Sequence, residues 1–267
     1  MLGRRTVLGR RTVLGGLVAS AALSATRTLH AQARLEIAVL DAPGVGREAL
    51  ETAMAAIDAS GSLRARRVTP SDVRAGALHD ARALLVTGGR GSRQGRALGD
   101  DGREALRRFV REGGGYVGIC AGSYLAMQRP RASTEESYKA AFVAAEHATG
   151  DAWQRGIAPL PLVPEDGGEP IVLHYANGPL FAPVPVEGLP VPRVLARFGD
   201  EVSSARGGTL PGQMRGAIAL LATSYGRGEI VLFSPNPTLA PARSGLLVRA
   251  LERVARQRPT RFFADLS

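Results

Sequence analysis

The sequence predicts an α/β fold in which a mostly parallel sheet is covered by helices on both faces, followed by a β-rich C-terminal half. Three observations favour this fold. Apolar runs alternate with helix-compatible segments up to about residue 127, at the spacing of strand–helix–strand units. Two of these runs, at residues 35–40 and 83–86, are apolar enough for buried strands. From residue 129 onward, proline-rich sequence and strand candidates replace the helices.

In chain order, the first half contains four predicted strands connected by three helices. The strands are residues 35–40, 63–68, 83–86 and 116–119, and the helices are residues 48–59, a short helix capped by Ser71, and residues 101–112. The carboxyl ends of parallel strands lie at one edge of a sheet, where such folds bind ligands. We therefore expect Asp41, Gly88, Gly89 and Cys120 at that edge.

The second half begins with a polar segment at residues 129–150. Strands are predicted at residues 171–175 and 194–198, a hairpin at residues 217–222 and 229–233 around a glycine-containing turn, and a closing helix at residues 244–257. One domain from residue 34 to residue 258, with a tail at residues 259–267, accounts for these elements.

Residues 1–33 have the features of an export signal. Arg10 and Arg11 precede an uncharged apolar stretch at residues 14–25, and residues 31–33 offer small side chains to a signal peptidase. The pattern resembles a twin-arginine signal, and the apolar stretch is well short of the ~20 residues that span a bilayer. We expect a periplasmic or otherwise exported protein that meets the twin-arginine machinery and has no membrane contact after cleavage.

The composition of the chain limits which ligands and partners are expected. The five arginines of residues 1–33 account for half of the formal net charge of +10, which leaves +5 for the rest of the chain. No basic run is interleaved with aromatic residues, so nucleic acid is not an expected partner. The single cysteine excludes an internal disulfide, and the histidines lack ligand spacing for a metal. We expect neither a metal nor a cofactor, and the oligomeric state stays open.

Cys120 lies in Gly118-Ile119-Cys120-Ala121-Gly122, between a predicted strand and a helix-compatible segment. A sharp turn of this kind forces the central residue into a strained backbone conformation and requires glycines around it. We expect the thiol to point into solvent, facing the first amides of the next helix. Such amides stabilise a thiolate and can hold an oxyanion.

Several motifs together resemble the class I glutamine amidotransferase-like superfamily. Within it, the wording around Cys120 and in two later motifs is most similar to the domain at the amino end of some biotin-protein ligases. The motifs, in chain order, are residues 86–89, 109–115, 118–126, 174–179 and 226–235. The resemblance covers roughly residues 35–257 and is densest at residues 84–127.

The resemblance implies a flavodoxin-like sheet with Cys120 as nucleophile. It also implies an oxyanion or ligand-binding site formed after the third strand, by Gly88 and Gly89, and at the start of the next helix, by Ala121 and Gly122. Active members place a histidine, in His-Pro-Glu, after the late hairpin. This sequence has Asn236-Pro237-Thr238 at that place instead.

An asparagine amide cannot take the thiol proton, and loss of a general base typically lowers a rate by 10²–10⁴-fold. Our preferred interpretation is therefore an exported amidotransferase-like protein that lacks the usual Cys–His dyad and binds a small molecule or peptide in the cleft at Cys120. Asn236 would then belong to the ligand site. The alternative is a cysteine-dependent hydrolase or amidase in which Asp41 or His174 activates Cys120.

Each alternative partner also has a purely structural interpretation. Asp41 follows the first strand, where related thiol enzymes place an acid, but Asp-Ala-Pro-Gly is also a turn sequence. His174 lies near a strand end in a motif similar to the family's, although a histidine packed in a strand is more common. The glycine- and arginine-rich residues 88–96 are predicted to form a solvated loop over the cleft, whose arginines could attract an anion.

Overall fold

Predicted and observed elements agree in order through most of the chain. The computed structural model describes residues 33–131, 137–148, 156–202 and 213–257, together with the isolated Gly3. The predicted export signal, apart from Gly3 and Ala33, and the predicted C-terminal tail lie outside the described residues. The part from Ala33 onward forms one compact unit.

The described residues contain eleven strands and five helices. The strands are β1 (Leu35–Leu40), β2 (Leu63–Val68), β3 (Ala83–Val86), β4 (Gly115–Ile119), β5 (Ala145–His147), β6 (Ile157–Pro164), β7 (Ile171–Ala176), β8 (Phe181–Pro183), β9 (Arg193–Phe198), β10 (Ile218–Tyr225) and β11 (Gly228–Phe233). The helices are α1 (Arg47–Ala59), α2 (Pro70–Arg74), α3 (Gly91–Arg111), α4 (Ala121–Ala126) and α5 (Ser244–Arg256).

All these strands join one sheet with the order β2-β1-β3-β4-β11-β10-β9-β6-β7, and β8 joins β5 to β10 beside this path. The first five strands of that order are parallel to their neighbours. From β11 onward the pairing is antiparallel. The predicted α/β fold, with its mostly parallel core and strand-rich C-terminal half, is confirmed.

Side chains of the parallel strands alternate between two hydrophobic clusters, one on each face of the sheet. Ile37 and Val39 point to the face covered by α1 and α5, whereas Ala38 and Leu40 point to the face covered by α2, α3 and α4. Strands β3 and β4 are buried at every position. Burial on both faces explains why these strands are short apolar runs.

Two helix predictions are wrong. Residues 91–96, predicted as loop, form the start of α3, which continues to residue 111 past a kink at Gly99 with φ of 66°. The arginines of this segment suggest a solvated loop, but Gln94, Gly95 and Leu98 form a buried face of the helix. In α2 the cap is Thr69 rather than Ser71, since the Thr69 hydroxyl accepts a bond from the Asp72 amide.

The proline-rich segment forms β6, which the sequence did not predict. Pro159 and Pro161 are two residues apart, so both lack their N–H on the same side of the strand. On that side β6 pairs with β9 only from Leu162 onward, whereas the pairing with β7 extends over the whole first part of the strand. The two prolines therefore cost no ladder hydrogen bond.

Candidate functional site

The carboxyl ends of the parallel strands meet around one pocket of about 410 Å³. Three ends contribute directly: Gly88 and Gly89 after β3, Cys120 after β4, and the residues after β11. The lining residues come from the start of α1, from these strand ends and from β7: Gly46, Arg47, Glu48, Ala49, Gly88, Gly89, Cys120, His174, Ala176, Ser234, Asn236 and Leu239.

Cys120 occupies a strained turn between β4 and α4. Its backbone has φ of 48° and ψ of −98°, a conformation that costs on the order of 1–3 kcal/mol for a residue with a side chain. The Cys120 amide donates to the Phe233 carbonyl at 2.8 Å, which ties the turn to β11. Gly122 is needed for packing, because a Cβ there would lie 2.0 Å from the Val86 carbonyl oxygen.

The Cys120 sulfur lies on the floor of the pocket and is half-buried rather than directed into open solvent as predicted. Its S–H faces the Ala176 carbonyl oxygen at 3.7 Å. The backbone amides of Gly89 and Ala121 donate to the sulfur, but burial has the larger effect and raises the pKa of the thiol to about 11. At neutral pH the group is a thiol and not the stabilised thiolate that the sequence led us to expect.

Asn236 stands beside Cys120. A Cβ built on Gly88 would lie 3.8 Å from the Cys120 Cβ and 3.9 Å from Asn236 Nδ2, so both side chains border the same point. Asn236 Oδ1 accepts hydrogen bonds from the Thr238 amide at 2.7 Å and the Thr238 hydroxyl at 2.9 Å. These two bonds fix which end of the amide is oxygen, and they turn the NH₂ group away from Thr238.

His174 lines the same pocket, as the alternative hypothesis requires. Its Nδ1 lies 3.2 Å from the Ala240 carbonyl oxygen. Because a carbonyl can only accept, Nδ1 carries a proton, and in the neutral ring Nε2 keeps a lone pair. The ring makes no hydrogen bond with Cys120 within the described ranges.

The structure does not bring Asp41 to the cysteine. Its carboxylate pairs with Arg47 and Arg67, each at 3.4 Å, and it is absent from the pocket lining. The acid that lines the pocket is Glu48, in the first turn of α1. Sequence reasoning missed Glu48, although an acidic residue opening the helix after β1 is a readable signal.

Of the residues predicted to bind a ligand, some line the pocket or contact the sulfur and one serves the packing of α4. Gly88 and Gly89 line the pocket, and the Ala121 amide reaches the sulfur. Gly122 does not line the pocket and serves the packing of α4 against β3. Ser234, which was not predicted, lines the pocket with a buried hydroxyl that has no partner in the described part of the chain.

Two further findings concern the described residues as a whole. No group of three or more histidine, cysteine or carboxylate side chains is placed to hold a metal ion within those ranges. None of the helices there combines the length and the apolarity needed to cross a membrane.

Comparison with known proteins supports the fold. Residues 35–156 match the family described as biotin-protein ligase, N terminal. No curated protein matches the chain. A crystal structure of a glutamine amidotransferase superposes with a TM-score of 0.59 at 21% identity, covering 82% of this chain and 98% of the other.

Two other solved structures are similar to nearly the same extent. PurLQS from Thermotoga maritima has a TM-score of 0.54 at 15% identity and covers 84% of this chain and 97% of that one. A thua-like protein from Parabacteroides merdae has a TM-score of 0.54 at 11% identity, covering 85% of this chain and 92% of that one. At these identities the likeness establishes a glutamine amidotransferase-like fold.

Proposed function

We propose that the protein is an exported glutamine amidotransferase-like protein that binds a small molecule or peptide in the pocket at Cys120 and does not hydrolyse it through a Cys–His dyad. One observation carries the proposal. The side chain beside the cysteine is Asn236, whose amide oxygen is held by two hydrogen bonds from Thr238.

The chemistry around the thiol supports binding over turnover. The acceptor nearest the S–H is a backbone carbonyl, which cannot take up a proton. Burial keeps the pKa of Cys120 at about 11, so little thiolate exists at neutral pH. Without a base, the usual gain of 10²–10⁴-fold from proton transfer is lost.

The pocket suits a small ligand. Its volume of about 410 Å³ falls within the roughly 300–1,000 Å³ of small-molecule sites. Its wall combines apolar surface from Ala49 and Leu239 with amide donors and one carboxylate, Glu48. A side chain of a peptide or a compact metabolite would fill such a space.

Turnover measurements test the absence of hydrolysis. Purified protein is incubated with an activated ester, with glutamine and with a peptide amide, and product formation is compared between wild type and Cys120→Ser. We expect equal, background rates. Turnover that is present in wild type and lost in Cys120→Ser would contradict the proposal.

Asn236→His tests the role of residue 236 by introducing the imidazole that the site lacks there. An imidazole beside Cys120 can accept the thiol proton near pH 7, so alkylation of Cys120 by iodoacetamide at that pH should become faster than in wild type. Asn236→Gln, which keeps an amide, is the matched control and should leave the rate low. Equal rates in both variants would mean that residue 236 does not govern the thiol.

A cysteine-dependent hydrolase is the second candidate, because His174 lines the pocket with Nε2 free to accept a proton. It predicts Cys120-dependent turnover that vanishes in His174→Gln. His79→Gln is the control, since that side chain is 89% exposed and hydrogen-bonded only to its neighbour Asp80.

Export rests on the sequence of residues 1–33. We expect the full chain, expressed in a bacterium with a twin-arginine pathway, to reach the periplasm, and Arg10-Arg11→Lys-Lys to retain it in the cytoplasm. Immunoblots of fractionated cells provide the measurement. Unchanged export of the double-lysine variant would exclude the twin-arginine route.

A further inference from the structure

The geometry points to Asn236 as the residue that selects the ligand: its NH₂ group donates to a carbonyl oxygen, carried by a carboxylate or a carboxamide, bound in the pocket. This inference rests on the proposed function and names the chemistry that the site would recognise.

The first support is the orientation of the Asn236 amide. With Oδ1 held by Thr238, Nδ2 lies at the other end of the amide, 3.9 Å from the point where a Cβ on Gly88 would lie, in the pocket that Cys120 also lines. Asn236 is 95% buried and lines the pocket, and no hydrogen bond of Nδ2 is found within the described ranges. Nδ2 is not among the fully buried polar atoms that lack a partner, so it keeps access to the pocket, from which a ligand oxygen could accept its hydrogen bonds.

The orientation of the Asn236 amide depends in turn on contact between the hydroxyls of Thr238 and Thr52. Thr238 Oγ1 lies 3.0 Å from Thr52 Oγ1, and Thr52 Oγ1 donates to the Glu48 carbonyl at 2.8 Å. Because the Thr52 hydroxyl donates its hydrogen bond within α1, it can only accept from Thr238 or leave the Thr238 proton to Asn236. The Thr238 hydroxyl can therefore donate to Asn236. This connection makes Thr238 a positioning residue for the amide.

Other polar groups around the pocket fit the same ligand group. The Ser234 hydroxyl is fully buried, unpartnered among the described residues and part of the lining. The amides of Gly89 and Ala121 face the neighbouring sulfur. The two amides can only donate and the Ser234 hydroxyl can also donate, so together these groups suit a carbonyl oxygen better than an ammonium group. Glu48 is the one acid on the wall, and its charge opposes a carboxylate more than a neutral carboxamide.

Matched probes test the inference by ligand-observed NMR. Butyrate, butyramide and butylamine share a skeleton, as do benzoate, benzamide and benzylamine. We expect the carboxylate and carboxamide of each series to bind wild type at millimolar concentration and the amine not to bind. Binding of the amine equal to that of its partners, or no binding by any probe, would overturn the inference.

Asn236→Asp is the sharpest variant, because it keeps the shape and the oxygen that Thr238 holds but replaces the two donors with an acceptor. Affinity for the carbonyl probes should fall about 10- to 100-fold, and more for the carboxylate than for the carboxamide. Unchanged affinity in a folded variant would contradict the role of Asn236.

Thr238 variants keep the inference testable if a buried aspartate prevents folding. Thr238→Val removes one bond to Oδ1 without changing the size of the side chain and should weaken binding of the carbonyl probes several-fold. Thr238→Ser should restore it. Equal loss in both variants would show that Thr238 acts only through packing. Glu48→Gln should strengthen butyrate relative to butyramide; no change in that ratio would remove Glu48 from the site.

These outcomes separate the two proposals. Cys120-dependent turnover would defeat the proposed function while leaving the preference of Asn236 for carbonyl oxygen measurable. Indifference of the probes to Asn236→Asp would defeat the inference about the ligand while leaving a catalytically silent pocket.

Discussion

The reactivity of Cys120 provides a direct quantitative test of the site. The perturbation is pH, and the reporter is alkylation by iodoacetamide, which consumes the thiolate. Burial raises the pKa of this thiol to about 11, against an ordinary value of ~8.5. The thiolate fraction should therefore follow an inflection near pH 11 in the native protein and near 8.5 after unfolding.

The expected difference in rate follows from these two values. At pH 8 about a quarter of an ordinary thiol is ionised, compared with ~0.1% of one with a pKa of 11, a ratio of roughly 200. A more basic thiolate is also more nucleophilic: with a Brønsted coefficient of ~0.4–0.5, each native thiolate should react about tenfold faster than an ordinary one. Native Cys120 should thus react roughly 20-fold more slowly at pH 8 than the unfolded chain.

The assay is intact-mass spectrometry of the time course from pH 7 to pH 11, with and without denaturant. Interpretation is simple because the chain has one cysteine, so Cys120→Ser must remain unlabelled. A native inflection at or below pH 8.5, or equal rates in native and unfolded protein at pH 8, would refute the assignment of a half-buried, neutral thiol.

Three further predictions concern stability, measured by urea unfolding. Gly122→Ala should lower the free energy of unfolding by about 1–3 kcal/mol or more, since the added methyl would lie 2.0 Å from a carbonyl of β3. Gly46→Ala, where the nearest neighbour is at 3.5 Å, should change it little. Equal losses in the two variants would contradict the packing argument. Burial lowers the pKa of Lys139 to about 7, so between pH 7 and about 8.5 the unfolded chain binds more protons and wild-type stability should rise with pH, a slope that Lys139→Met should abolish. Above about pH 8.5 the raised pKa of Cys120 lets the folded chain keep a proton that the unfolded chain loses, which opposes this slope. Thr69→Ala should cost about 1 kcal/mol through loss of the α2 cap, and more than Ser71→Ala; the reverse order would restore the sequence-based assignment.

The sequence was informative where backbone geometry dictates residue type. Gly118 and Gly122 around Cys120, and the apolar runs of β1 and β3, lead directly to a turn at the edge of a parallel sheet. Helix α3 was not predicted from its start because residues 91–96 contain only glycine, serine, arginine and glutamine, and the buried face of this segment packs against Tyr138, which lies far along the chain. A Cβ on Gly95 would be 2.1 Å from the Tyr138 carbonyl oxygen.

Properties of the site that depend on tertiary contacts could not be obtained in this way. The identity of Asn236 was readable, but the direction of its amide depends on Thr238 and, through it, on Thr52 in another helix. Burial of the Cys120 thiol depends on β7, whose Ala176 carbonyl covers it. Glu48 was overlooked in favour of Asp41 because only the fold decides which of two nearby acids faces the pocket.

The position of β11 between β4 and β10 determines when the site can assemble. Ser123, at the start of α4, bonds to the Phe233 carbonyl 110 residues later, and Asn236 follows directly after that strand. While a ribosome is still translating residues before 228, β4 has an unpaired edge and the cysteine lacks its neighbour. The pocket is thus completed only by a segment synthesised more than 100 residues after Cys120, and it cannot engage a ligand before β11 and Asn236 have been made.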